Sequence, residues 1–231
     1  MLSPRLEALA MEVPIGARLA DIGTDHGLVP VYLAKKEKIT RAIATDISDG
    51  SLQKARDLIK AKKLDDIIEV RLGPGLEVIE PGEVDTILIA GMGGKLITEI
   101  LDEGKDVLKT STKLILQPMN AQQHVRWWLV DRGYAIYHEK LVKDGKYIYE
   151  IIVAEEGFQE KRDDIQYEIG FMLHKDPLFK EFIGIKISKT QAIIRALQNQ
   201  NTENARRRKE QLLEKLNKYK EAYRCFVQLE D

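Results

Sequence analysis

Apolar residues follow two different patterns along the chain, and the change from one to the other divides it. Up to residue 157, short apolar runs alternate with stretches of helical spacing. The runs at 18–22, 42–46, 68–72, 86–90 and 113–117 have the length of strands. Between them, residues 28–36, 51–62, 95–101 and 124–132 read as helices; in the second of these Leu52, Ala55, Leu58 and Ile59 share one face. Strands alternating with helices predict a mostly parallel sheet with helices on both faces. Two further strands, 134–139 and 147–154, are joined by a link too short for a helix, so they should pair antiparallel.

After residue 157 strand signals stop. Pro177 is expected to open a helix reaching about residue 199, since proline is tolerated in a first helical turn. A polar turn at 199–202 leads into a second long helix, 203–229. Its Leu212, Leu216, Tyr219, Tyr223 and Phe226 recur at spacings of four, three, four and three, a short heptad seam. Phe182, Ile185, Ala192 and Ala196 are the expected facing residues. The pattern predicts an antiparallel helical hairpin. Two domains follow: an α/β domain at 1–157 and a helical hairpin at 158–231.

Composition narrows the setting. The chain has 231 residues, 44% hydrophobic and 32% charged. It contains no run of 18 apolar residues, so no membrane span is expected. Its first residues lack the basic-then-apolar pattern of a secretory signal. Cys225, the single cysteine, cannot make an internal disulfide and is expected to be a small buried hydrophobe. A cytoplasmic monomer is the expectation. Net charge is −1, split into −4 over residues 1–157 and +3 over 158–231. The four histidines are scattered and give no metal-ligand spacing, so no metal is expected.

The chemistry concentrates in Asp21-Ile22-Gly23-Thr24-Asp25-His26-Gly27, between the first strand and first helix. In an open parallel sheet, ligands bind beyond the carboxyl ends of strands. Gly23 and Gly27 would let backbone approach a ligand closely; an ordinary glycine-containing turn is the bland alternative. A dinucleotide fingerprint needs a middle glycine where this chain has Asp25. A carboxylate there would repel a pyrophosphate but suits a ligand bearing an amine and a sulfonium. Asp21 and Asp25 therefore favour S-adenosylmethionine over NAD. Asp46 ends the second strand, 19 residues after Gly27, where a carboxylate can accept from both ribose hydroxyls. Asp49 is the expected cap of the following helix, leaving Asp46 to the ligand. Gly91-Met92-Gly93-Gly94 after the fourth strand leaves room for a flat substrate, and Met92 could lie against an adenine. Gln117-Pro118-Met119-Asn120 points the same way, and Pro74 and Gly75 follow the third strand where the cofactor adenine would be gripped. Trp127-Trp128 reads as helix packing, and Arg206-Arg207-Arg208-Lys209 as a solvated helix face or a phosphate contact.

Taken together, Ser3-Pro4-Arg5-Leu6, the segment Ala20 to Pro30, Ile89-Ala90-Gly91-Met92-Gly93-Gly94, Leu114-Ile115-Leu116-Gln117-Pro118 and the strand at 147–154 resemble, in that order, the bacterial TrmK family, the tRNA adenine-N1 methyltransferases acting on adenine 22. The resemblance covers nearly the whole chain. It implies a class I methyltransferase (Rossmann-like) fold with a coiled-coil-like C-terminal domain, S-adenosylmethionine as cofactor and tRNA as partner. The implied cofactor residues are Asp21, Gly23, Thr24, His26, Gly27, Asp46, Ile47, Pro74, Gly75, Ala90 and Gly91, with Asp25, Met92 and Asn120 positioning the target base. Relatives read Gln-Pro-Asn where this chain has Gln117-Pro118-Met119, so Asn120 is the stand-in for that asparagine. Arg5, Lys60, Lys62, Lys63 and the hairpin are expected to grip the tRNA backbone. The alternatives are a class I methyltransferase acting on another RNA, a protein or a small molecule, and an NAD-binding oxidoreductase.

Overall fold

Seven strands form one sheet in the computed structural model, which describes residues 2–198, 200 and 202–227. They are β1 (Ala17–Ile22), β2 (Ile39–Asp46), β3 (Ile68–Leu72), β4 (Thr86–Gly93), β5 (Lys113–Asn120), β6 (Tyr134–Asp144) and β7 (Tyr147–Glu156). Their order is β3-β2-β1-β4-β5-β7-β6; the first five run parallel, and β7 pairs antiparallel with both β5 and β6. This is the mostly parallel sheet expected from the alternating pattern, closed by the expected antiparallel pair.

Connecting helices are α2 (Leu28–Lys35), α3 (Asp49–Ala61), α4 (Gly94–Glu103), α5 (Lys105–Leu108) and α6 (Gln122–Asp131). A further helix, α1 (Pro4–Glu12), precedes the sheet and was not expected. Pro4 opens it and the Ser3 hydroxyl accepts from the Leu6 amide at 3.5 Å, satisfying one of the amides that a helix start leaves open. Its Leu9 and Ala10 join Leu33, Ala55 and Ile59 over Leu19, Leu88, Ile115 and Val153 of the sheet, forming one buried apolar layer.

Several boundaries differ from expectation for identifiable reasons. The segment at 91–93 is not a loop: β4 continues through it because Met92 pairs with Pro118 and Gly93 with Asn120, across two register shifts. Pro118 does not close β5 for the same reason. The shifted pairing tolerates a residue without an amide proton. Ser48, not Asp49, caps α3, its hydroxyl accepting from the Ser51 amide at 3.3 Å.

The chain divides into two compact units, Met1–Lys161 and Arg162–Asp231. The second contains α7 (Asp164–Ile169), a 3-10 turn (Leu173–Lys175), α8 (Phe179–Ala196) and α9 (Glu203–Val227). Asn199 and Asn201 of the expected turn, and residues 228–229 of the expected last helix, lie outside the described residues. Helices α8 and α9 pack through Ile194, Leu212 and Leu216, with Ile187 and Leu197 at the margin. Leu212, Leu216 and Tyr219 are buried as expected, but Ala192 and Ala196 are exposed. The larger Ile187, Ile194 and Leu197 cover more apolar surface than two methyl groups would, so they take the inward positions. Cys225 is exposed rather than buried, because Ala222 takes the inward position on that turn of α9.

In the first unit α6 is pinned by a buried ion triad. The Arg126 guanidinium donates from Nε to Glu139 on β6 and from Nη2 to Glu150 on β7, each at 2.7 Å, and all three side chains are shut off from solvent. The two carboxylates would be left desolvated if the arginine went. Arg126→Leu should therefore cost about 3–5 kcal/mol in urea denaturation, whereas replacing all three residues by apolar ones of similar volume should restore most of it.

Candidate active site

The first turn after β1 is tied to the end of β2 rather than folded over its own strand. The amides of Gly23 and Thr24 both donate to the Thr45 carbonyl, at 2.8 and 2.9 Å. Gly23 needs its glycine: φ is +69°, and a Cβ there would meet the Met92 methyl at 2.2 Å. Met92 therefore lies across the turn, bringing the end of β4 to the end of β1. Gly27 serves packing more than ligand approach. It begins α2, and a Cβ on it would press on Ala55 of α3 at 3.2 Å.

Carboxylates define the polarity of the turn. Asp21 is buried, and Thr24 donates its hydroxyl to it at 2.5 Å. Burial pushes the Asp21 carboxyl up to about 6 from an ordinary value near 3.8; the Thr24 hydroxyl opposes the rise and the Asp46 charge adds to it. Asp25 stands in the left-handed region, φ +54°, with its carboxylate 2.8 Å from the His26 Nδ1. The Asp25 amide donates to Asp46 Oδ2 at 3.3 Å and the Ser48 amide to Oδ1 at 2.8 Å. One amide on each oxygen fixes the Asp46 carboxylate and leaves lone pairs on both for a vicinal diol.

Asp46 is also joined to the loop after β3. Gly73 donates to the Asp46 carbonyl at 3.1 Å, and the Thr45 hydroxyl to the Gly75 carbonyl at 3.3 Å. Pro74 and Gly75 thus stand beside Asp46, with Ile47 next to it 77% exposed, an apolar side chain available to cover a flat ring. A Cβ on Gly75 would reach Ile100 of α4 at 2.9 Å, so this glycine also answers to packing.

A cavity of about 270 Å³ gathers half of the expected residues: Asp21, Gly23, Thr24, Asp25, His26, Ala90 and Gly91 line it. Asp46 borders it through the Asp25 amide, and Met92 touches Gly23. Neither Gly27 nor Asn120 is among its lining residues. Asn120 is exposed at the end of β5, its carboxamide oxygen 3.3 Å from where a Gly93 Cβ would stand. Six lining residues were not expected at the site from sequence: Leu28, Val29 and Leu88 around the turn, and Arg5, Leu6 and Leu9 of α1. Arg5 was expected on the tRNA-facing surface. It instead donates from Nη1 to the buried Gln117 at 2.7 Å and lies 5.5 Å over the Tyr149 ring. Lys60, Lys62 and Lys63 are exposed as expected, as are Arg206, Arg207 and Arg208 in the second unit. Trp128 packs inside, stacked on Tyr134 and donating to Asp102 at 3.0 Å. Among the described residues no cluster of His, Cys, Asp and Glu has the arrangement of a metal site.

Known proteins share this architecture and sequence. Residues 19–221 match the family model TrmK, tRNA (adenine(22)-N(1))-methyltransferase. The tRNA (adenine(22)-N(1))-methyltransferase of Bacillus subtilis is 37% identical over 228 residues, covering 95% of this chain and 96% of its own. The solved structure of Streptococcus pneumoniae Sp1610 in complex with S-adenosyl-L-methionine superposes with a TM-score of 0.86 at 36% identity, over 96% of this chain and 99% of that one. The structure of M. capricolum TrmK with S-adenosyl-homocysteine gives 0.84 at 25% identity, over 98% and 99%.

The raised Asp21 carboxyl makes a prediction about pH. A carboxyl held above its ordinary value binds its proton more tightly folded than unfolded. Its contribution to stability is therefore complete below about pH 3.8 and lost as pH climbs through about 6. Asp21→Asn, which keeps the polar contact and removes the charge, should stabilise the ligand-free protein at pH 7 by on the order of 2–3 kcal/mol. It should also flatten stability between pH 4 and 6, read by chemical denaturation across that range.

Proposed function

The chain belongs to the TrmK family, and on that premise we propose how its cleft carries out the family's reaction, the S-adenosylmethionine-dependent methylation of tRNA at N1 of adenine 22. The observation that carries the assignment is a full-length family match onto a cleft whose acidic lining suits a ligand with an ammonium and a sulfonium. The same lining argues against NAD, whose pyrophosphate Asp25 would repel.

S-adenosylmethionine, when bound, supplies an electrophilic methyl that the N1 lone pair takes in line, leaving a thioether on the cofactor and a positive charge on the base. Neutral N1 has a free lone pair, so the protein need not remove a proton first. Its task is to hold nucleophile and methyl together. Asp46 accepts the two ribose hydroxyls, Ile47 with Pro74 and Gly75 enclose the adenine, and Asp21 faces the ammonium. Asp25, oriented by His26, stands where a carboxylate favours the cation that forms on the base. Met92, lying across Gly23, and Asn120 at the end of β5 border the space for the target adenine. That base must be unstacked to reach them, at a cost of about a few kcal/mol.

The tRNA backbone is proposed to meet Lys60, Lys62 and Lys63 on the first unit, the methyltransferase domain, and Arg206 to Arg208 on the second, the helical hairpin domain. Both sets are exposed cations, as phosphate contacts require. Among the described residues no helix is long and apolar enough to cross a membrane. A cytoplasmic setting goes with a tRNA substrate, and we take the working form to be a monomer, which sedimentation would test.

Unmodified tRNA incubated with the protein and S-adenosylmethionine should yield N1-methyladenosine at position 22 alone, found by nucleoside digestion and mapping. A methylated protein with unmodified tRNA would refute the assignment. Asp46→Ala should weaken cofactor binding by about 1–3 kcal/mol, measured calorimetrically. Affinity for tRNA should fall steeply with added salt, and less steeply once Arg206, Arg207 and Arg208 are replaced by alanine.

A further inference from the structure

Arg5 is a half-buried cation at the wall of the cavity, with no ion pair among the described residues. Its position is over-determined. Pro4 and Ser3 start its helix, its amide lies 3.4 Å from Asp144 Oδ2, its Nη1 donates to Gln117, and its guanidinium plane rests near Tyr149. Among the described residues its side chain makes no ion pair and its only hydrogen bond is the one to Gln117. A guanidinium carries five N–H donors, so most remain for something else. Gln117 is itself wholly buried and spends its carboxamide oxygen on Arg5, which is a costly arrangement for a surface cation but a sensible one for a donor that must be aimed.

Asp21 and Asp25 line the same cavity. No ion pair joins either to Arg5 among the described residues, so the cavity is lined by a cation and by carboxylates that do not neutralise one another directly. The amino-acid end of S-adenosylmethionine presents the inverse set: an ammonium and a sulfonium, which are cations, and one carboxylate. The volume of about 270 Å³ falls below the roughly 300–1,000 Å³ of a pocket that takes a whole drug-sized ligand. It suits a fragment, with the nucleoside lying outside along Asp46 and Ile47.

On the methyltransferase reading above, we propose that Arg5 binds the carboxylate of the cofactor's methionine end, fixing that end between α1 and the β1 turn and making cofactor selection depend on the carboxylate. Guanidinium–carboxylate contacts are charge-assisted and directional, and this one would be shielded from water by Leu6 and Leu9 of the same helix. The arginine thereby acts on the cofactor and not on the tRNA backbone.

Three probes separate the contributions: S-adenosylmethionine, decarboxylated S-adenosylmethionine, and 5′-methylthioadenosine, which lacks the amino-acid end altogether. The full-length wild-type chain should bind the first about 10- to 100-fold more tightly than the second. Arg5→Gln should bind both equally, near the wild-type affinity for the decarboxylated form, and should bind 5′-methylthioadenosine as the wild type does. That last affinity also reports whether the variant is folded. The proposal is overturned if Arg5→Gln keeps the preference for the carboxylate, or if it raises the KM for tRNA while cofactor affinity stays the same. It is overturned without any variant if the wild type does not distinguish the first two probes. A wild type that binds none of the three would instead remove the methyltransferase reading on which the proposal rests.

Discussion

Everything at the site depends on a reversal in how the sheet is wound. Strands β1 and β4 are hydrogen-bonded neighbours, with Leu19 opposite Thr86 and Ile22 opposite Ile89. From β1 the chain crosses to β2 on one side, and from β4 to β5 on the other. Right-handed crossovers then put α2 and α4 on opposite faces, and the carboxyl ends of β1 and β4 are left with no helix between them. The turn at Gly23, the carboxylate of Asp46 and the glycines ending β4 meet because this gap exists. Helix α1 closes one side of the gap and so becomes part of the cavity wall.

Two kinds of adhesive hold that frame. The face carrying α1, α2 and α3 is apolar throughout, joined by Leu9, Leu33, Ala55 and Ile59. On β6 and β7 the Arg126 triad adds a geometric constraint that apolar packing lacks, since a guanidinium bonded to carboxylates on two strands admits few registers. The antiparallel pair is thereby kept in place beside β5, the strand that carries Gln117 and Asn120.

Much of this was legible in the chain because buried parallel strands are apolar runs and need no tertiary information to be found. The strand at 68–72 was located to the residue, and the carboxylate ending β2 stood out because it interrupts such a run. Glycine and proline misled at β4 and β5: they mark turns locally, yet Met92 and Pro118 pair across the sheet, and pairing decides. Helix α1 went unread although Leu6, Leu9, Ala10 and Val13 have helical spacing behind a Ser-Pro start, and with it the cavity role of Arg5 was lost. On α8 the alanines looked like a seam, but Ile187, Ile194 and Leu197 have larger apolar side chains to pack against α9. A cation and two acids lining one cavity is a relation between distant segments, which no local pattern carries.

The buried carboxyl of Asp21 bears on what kind of object this fold is. Left to itself, the chain would be better folded with a neutral side chain there, so it sits short of its own stability optimum by choice of one residue. A ligand that brings positive charge to Asp21 offsets that deficit, and below about pH 6 it displaces a proton as it does so. Occupied and vacant protein would then differ in resistance to unfolding and to proteolysis.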